Sequence, residues 1–144
     1  KFIIIPINDT DIIGKQYISL LNQLKNTTET FDKDLYSLFI RNILYNKYHH
    51  IFLGIYENKV VCCGTLLMEQ KLLHTNMLVG HIEDIVVDKE YRGNGFGKKI
   101  VEYLIKYAED NNCYKVILDT NINNINFYKN CGLIQNEVQM VKYF

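Results

Sequence analysis

Apolar positions fall into blocks of two different periods along the chain, separated by short polar turns. Residues 1–7 form an apolar run of strand length. Ile12, Ile13, Tyr17, Leu20, Leu21 and Leu24 then recur at steps of three and four, the stripe of an amphipathic helix, with Asp9 or Thr10 placed to cap it. After a polar connector over residues 25–30, Asp32 can cap a second helix whose stripe is Leu35, Leu38, Phe39, Ile43 and Leu44. Residues 51–56 and 60–69 predict two strands joined by the tight turn Glu57-Asn58-Lys59, a hairpin. Residues 79–87 predict a central strand with a nearly continuous apolar end. A helix over residues 97–109 carries Ile100, Val101, Leu104, Ile105 and Ala108 on one face. Residues 115–118 predict a short buried strand. Asn123 or Asn124 can cap a last helix through Ile125, Phe127 and Tyr128, with Gly132 as its stop, and residues 138–144 predict a final strand. The order β-α-α-β-β-β-α-β-α-β predicts an α/β fold, a mixed central sheet with helices on both faces. With no repeat, low-complexity linker or charge block, one domain is expected over residues 1–144.

Composition narrows the function classes. Lys plus Arg and Asp plus Glu both total 16, so the formal net charge is zero and nothing favours nucleic acid or an acidic membrane surface as partner. No apolar run approaches the roughly 20 residues of a membrane helix, so no membrane span is expected. The N-terminal apolar run is too short for a signal peptide, and the chain begins at Lys1 rather than Met, so further residues are expected upstream. Cys62, Cys63, Cys113 and Cys131 form no C-x-x-C pair, and no His spacing completes a zinc site, so no metal is expected. Buried free thiols in a reducing, cytoplasmic compartment are the expectation. A catalytic Cys would need a base beside it, and the sequence shows no specific sign of one.

The chemistry concentrates in residues 81–99. A strand bearing two acids, Glu83 and Asp84, runs into a glycine-rich turn and then a helix. Glycines admit a ligand close to the backbone, and a helix start offers unpaired N–H groups and the positive end of the macrodipole. Together these make a phosphate seat from Arg92, Gly93, Asn94, Gly95, Phe96, Gly97 and Lys98. A Walker A loop is excluded, because Arg92 replaces its first glycine and Lys99 its Ser or Thr. A dinucleotide fingerprint is excluded because Gly93, Gly95 and Gly97 are spaced G-x-G-x-G. What fits is R-x-x-G-x-G, at Arg92, Gly95 and Gly97, which resembles the pyrophosphate loop of GCN5-related N-acetyltransferases. The resemblance implies that family's fold and acetyl-CoA as co-substrate.

Acetyl transfer needs a held cofactor, N–H donors for the thioester oxygen, a proton acceptor for the amine and a proton donor for the departing thiolate. The backbone of Ile85, Val86 and Val87 can supply the donors if their strand is splayed from its neighbour. Glu83 and Asp84 are expected to point to opposite faces, so that at most one sits deep in a given pocket. Tyr128, with a phenol pKa near 10, suits a thiol leaving group of about 8.5. Asp119 ends a strand beside the expected cofactor cleft.

Four further stretches are similar to glucosamine 6-phosphate N-acetyltransferases: Lys71-Leu72-Leu73-His74, residues 81–87, residues 112–119 and residues 126–132. They come in the family's order and cover about the C-terminal half. The resemblance implies glucosamine 6-phosphate as acceptor and a homodimer with shared active sites. It implies that Ile85, Val86 and Val87 pair with the pantetheine arm and that Glu83, Asp84 and Ile85 meet the amino sugar. Lys71, Leu72, Leu73 and His74 would line the sugar-phosphate pocket, and Tyr114 and Lys115 would reach substrate from the partner subunit. Asp119, mainly through its carbonyl, would position or deprotonate the amine, and Tyr128 would stabilise the thiolate. After Met140 the family tends to have two basic positions; Lys142 keeps the first and Tyr143 replaces the second. The family's substrate-contacting Thr after the first helix has no secure match among Lys25, Asn26 and Thr27. The alternatives are a related enzyme acting on another small amine or a protein N-terminus, and a non-catalytic acyl-CoA-binding sensor. Basic residues at Lys71, His74, Lys115 and Lys142 favour a phosphate-bearing acceptor over a polyamine.

Overall fold

The computed structural model describes the backbone of residues 1–144 and every side chain except that of Asn76. The elements run β1 (Ile3–Pro6), α1 (Asp11–Lys25), α2 (Lys33–Leu44), β2 (His49–Tyr56), β3 (Lys59–Gln70), α3 (Leu73–Asn76), β4 (Leu78–Val87), α4 (Phe96–Asp110), β5 (Cys113–Ile117) and α5 (Ile125–Lys129). One sheet takes the order β1-β2-β3-β4-β5. The first three pairings are antiparallel and β4·β5 is parallel. The β2–β3 hairpin turns through Glu57 and Asn58 at φ 50° and 61°, the paired positive angles of a tight hairpin turn.

Helices cover both faces. Ile100, Val101 and Leu104 of α4 are fully buried against Val61, Leu66 and Ile82. Tyr17 and Leu20 of α1 and Ile40 of α2 are buried against Leu53, Val60 and Val86 on the other face. Cys62 belongs to the α4 side and Cys63 to the α1 side, and an irregularity in the β2–β3 register puts Val61 on the α4 side with Cys62.

Three expectations fail. Helix α2 buries Tyr36, Ile40 and Ile43, whereas Leu35, Leu38, Phe39 and Leu44 are exposed. The helix carries apolar residues on two faces, and the aromatic Tyr36, packed on Phe31 and hydrogen-bonded to the Asn8 carbonyl at 2.7 Å, selects which faces inward. Ile12, likewise expected inward, is exposed. Residues 138–144 form no strand, and Val138, Met140, Val141 and Tyr143 lie exposed. A strand exists only by pairing with a neighbour, and this segment has none within the chain.

Candidate active site

The sheet opens where the ligand was expected. Pairing between β4 and β5 spans Leu78↔Cys113 to His81↔Ile117 and stops there, while β4 continues to Val87. From Ile82 onward the β5-facing edge of β4 therefore has no strand beside it, and the backbone of Ile85, Val86 and Val87 borders a wedge.

Within this stretch β4 carries a bulge. Thr65 pairs with Glu83 and Cys63 with Val86, so Asp84 and Ile85 stand opposite Gly64 alone. Asp84 adopts φ 52°, uncommon for a residue with a side chain. Gly64 makes room, since a Cβ there would sit 2.7 Å from both Ile85 Cδ1 and Leu104 Cδ1. The Cys63 thiol donates to the Asp84 carbonyl at 3.6 Å. Bulges re-aim side chains, and this one corrects the expectation of opposite-facing acids. Ile82 and Ile85, three apart, both pack on the α4 side, and Glu83 and Asp84 fall together between them.

Charge makes the same point. Burial, then Asp84, then Asp119 push the Glu83 carboxyl above its ordinary range, against pulls from His81 and Lys25. The charges of Asp84, next to it on β4, and of Asp119, on the segment after β5, thus both act on Glu83. Asp84 also acts on the α1 layer: burial, then Cys63 and Asp84, push the Tyr17 phenol upward. The Asp119 carboxylate accepts the Gln139 amide at 2.9 Å.

The glycine-rich turn follows β4. Gly93 and Gly95 lie at φ 83° and 78°, with nothing within 4 Å of where their Cβ atoms would stand. Gly95 caps α4 without a side-chain bond, and Lys99 makes the first helical hydrogen bond, to the Gly95 carbonyl at 3.2 Å. The N–H groups of Phe96, Gly97 and Lys98 precede that first bond and point out of the helix start. Two neighbouring side chains turn elsewhere. The Phe96 ring is buried and stacked on Phe2 at 4.6 Å. Arg92 folds back, its Nε donating to the Val87 carbonyl at 3.2 Å. Gly97 fills a different need: a Cβ there would lie 3.2 Å from Phe127 and Val87. That contact seats α5 beside the loop. Next to Phe127, Tyr128 is half-buried, and burial, aided by Cys131, raises its phenol above the ordinary value.

The basic candidates gather elsewhere. His74 stacks on Tyr114 at 4.2 Å, the Lys115 ammonium lies 5.7 Å from the Tyr114 ring, and Lys71 pairs with Glu69 at 3.0 Å. Leu72 and Leu73 are exposed. Lys115 is in register with Val79, so within one chain it stands about 13 Å along β4 from Glu83, at about 3.3 Å per residue. Lys142 lies on the exposed C-terminal segment, with its nitrogen 5.8 Å from the Phe144 ring.

Sequence reasoning missed Asp88, the buried carboxylate that opens the loop, with Lys59 at 3.2 Å. The spacing from Asp88 to Glu90, an Asx turn, was the available local signal. Tyr17, expected on the inward stripe of α1, is buried, and so is Thr65 opposite Glu83, which the sequence did not single out.

The sequence model of the acetyltransferase (GNAT) family matches residues 17–133. A glucosamine 6-phosphate N-acetyltransferase of Arabidopsis thaliana is 39% identical over 132 residues, covering 90% of this chain and 89% of that protein. A glucosamine 6-phosphate N-acetyltransferase of Candida albicans is 38% identical over 130 residues, covering 90% and 87%. The crystal structure of glucosamine-6-phosphate N-acetyltransferase from Arabidopsis thaliana superposes with a TM-score of 0.92 at 35% identity, covering 100% of this chain and 99% of that one.

Proposed function

Since the chain belongs to the GNAT family of acetyltransferases, we propose that it acetylates the amine of glucosamine 6-phosphate from acetyl-CoA, by direct transfer in a ternary complex, as one domain over residues 1–144 of a cytoplasmic homodimer with shared active sites. The product, N-acetylglucosamine 6-phosphate, would feed UDP-N-acetylglucosamine synthesis. The observation that carries the reading is the wedge beside Ile85, Val86 and Val87, with Glu83 and Asp84 on the same strand and a glycine turn of open backbone following it.

The residues fit the cofactor. The amides of Phe96, Gly97 and Lys98 and the open backbone of Gly93, Asn94 and Gly95 can hold a pyrophosphate without a side chain in the way. The edge of Ile85, Val86 and Val87 offers strand-like bonds to the pantetheine arm and an N–H donor where charge develops on the carbonyl oxygen. Bound acetyl-CoA supplies an activated acetyl thioester. Glu83, held above the usual carboxylate range, is suited to take the proton of an ammonium acceptor. Asp84 flanks it and binds the sugar, and the Asp119 carbonyl orients the amine. The Tyr128 hydroxyl, its phenol raised by burial, donates toward the leaving sulfur.

The acceptor follows from relatives that carry this activity in their names and from the basic set Lys71, His74, Lys115 and Lys142. In one chain Lys115 stands about 13 Å along β4 from Glu83, at about 3.3 Å per residue. A partner subunit supplying Tyr114, Lys115 and Lys142 closes the gap, and the unpaired, apolar C-terminal segment supports such an exchange. Thiol release from acetyl-CoA is expected to require the 6-phosphate. Equal turnover of glucosamine, spermidine or a peptide amine would refute the acceptor.

A further inference from the structure

Among the described residues, one charged side chain is buried, and the chemistry above does not use it. Asp88, 6% exposed, sits where β4 ends and the loop begins. A buried carboxylate is costly unless paired and hydrogen-bonded. This one is met by Lys59 and Gln23 from distant parts of the chain and by a backbone N–H two residues on. Lys59, just past the β2–β3 hairpin turn, brings its ammonium to 3.2 Å. The Glu90 N–H donates to it at 3.0 Å. Gln23 of α1 accepts the Lys89 N–H at 2.9 Å, and its side chain helps to lower the Asp88 carboxyl. Burial opposes the charge, yet the Glu90 N–H and Lys59 hold the carboxyl below its ordinary range.

The backbone there is equally fixed. The Asp88 N–H donates to the Val61 carbonyl at 2.8 Å, and the Asp88 carbonyl accepts the Tyr91 N–H at 2.8 Å. The Asn94 amide donates to the Tyr91 carbonyl at 2.9 Å. All these bonds precede the free amides at Phe96, Gly97 and Lys98. They leave those amides untouched and set the direction in which the loop leaves the sheet.

We propose that Asp88, held by Lys59 and Gln23, is a positioning residue that pre-aligns the loop amides for the cofactor's pyrophosphate. The proposal rests on the reading of residues 93–98 as the pyrophosphate seat. Backbone amides cannot reach for a ligand as a lysine can. Their affinity depends on being aligned beforehand, because ordering a loose loop on binding subtracts from it.

The test measures CoA binding by calorimetry, and both KM values, in Asp88→Asn and Lys59→Met. Asp88→Asn keeps an acceptor for the Glu90 N–H and loses the charge pair. The CoA Kd is expected to rise about tenfold, equivalent to ~1.4 kcal/mol. The acetyl-CoA KM should follow, while the amino-sugar KM and kcat at saturating acetyl-CoA stay within about twofold. A merely structural role would lower Tm without this split. Lys59→Met, on the partly exposed hairpin, removes the same pair and decides the matter if Asp88→Asn does not fold. Unchanged CoA affinity in the folded variant, or an equal rise in both KM values, would overturn the proposal. Gly95→Val is the control: if the wild type binds CoA and Gly95→Val does not, the seat stands whatever happens at Asp88. If the wild type fails to bind CoA, the seat itself is wrong.

Discussion

At the scale of single residues, burial and neighbouring charge move both proton-handling groups of the site upward. Burial, aided by Cys131, raises the Tyr128 phenol, which like an ordinary phenol is protonated at neutral pH. Tyr128→Phe should therefore lower kcat while leaving the acetyl-CoA KM nearly unchanged, since the hydroxyl works mainly in the transition state. General acid catalysis is typically worth ~10²–10⁴-fold, and steady-state kinetics with wild-type kcat would return Tyr128 to a packing role. Glu83 is raised by burial and then by Asp84. A base must be ionised, so kcat/KM should fall as pH drops through the raised Glu83 value. Asp84→Asn removes the strongest repelling charge and keeps a residue type that tolerates the left-handed backbone there. The acidic limb of the pH–rate profile should then move to lower pH; a limb that stays put would show that Glu83 is not the titrating base. The roles of Glu83 and Tyr128 were legible as residue types on a strand and a short helix. Their mutual placement was not, because a bulge resets which side of a strand each residue serves.

At the scale of elements, the loop and α2 show how local pattern and packing divide the work. The glycine spacing read in the sequence reports two different needs. Gly95 supplies a positive φ under open space, whereas Gly97 supplies close contact with Phe127 and Val87. Gly95→Val should abolish measurable CoA binding in calorimetry while costing only about 1–2 kcal/mol of stability for its left-handed backbone. Gly97→Val should disturb α5 as well and depress kcat along with binding. In α2 the apolar residues outnumber the positions the sheet can cover, so periodicity alone chose the wrong face. Ile40 is 1% exposed and Leu35 is 67% exposed. Urea unfolding should give a loss of about 2–5 kcal/mol for Ile40→Ala and within about 0.5 kcal/mol for Leu35→Ala. The opposite ranking would restore the face expected from the sequence.

At the scale of the whole molecule, one chain holds Glu83 midway along β4, with the glycine turn beyond one end of the strand and Lys115 beside the other. A shared site predicts complementation. Lys115→Ala should raise the sugar-phosphate KM far more than the acetyl-CoA KM, because charge-assisted contacts to phosphate are roughly twice as strong as neutral ones. Mixing Lys115→Ala with Tyr128→Phe should then recover activity above either alone. Subunit exchange leaves one site with both lesions and the other with neither. No recovery despite demonstrated exchange, or a monomer at assay concentration, would defeat sharing and leave the loop assignment intact.

The sequence by itself determined the mixed sheet with helices on both faces, the hairpin, and the glycine turn between β4 and α4. Each is written in short-range periodicity or in a local demand for a positive φ. The tertiary structure alone decided the wedge beside Ile85, the bulge that gathers Glu83 with Asp84, the inward face of α2 and the bonds to Asp88. Those depend on residues far apart in the chain, such as Gly64 beneath Ile85 and Leu104, or Gln23 and Lys59 around Asp88. Residues 138–144 carry a strand's composition, but a strand needs a neighbour for its backbone bonds, and pattern along one chain cannot say whether one is present.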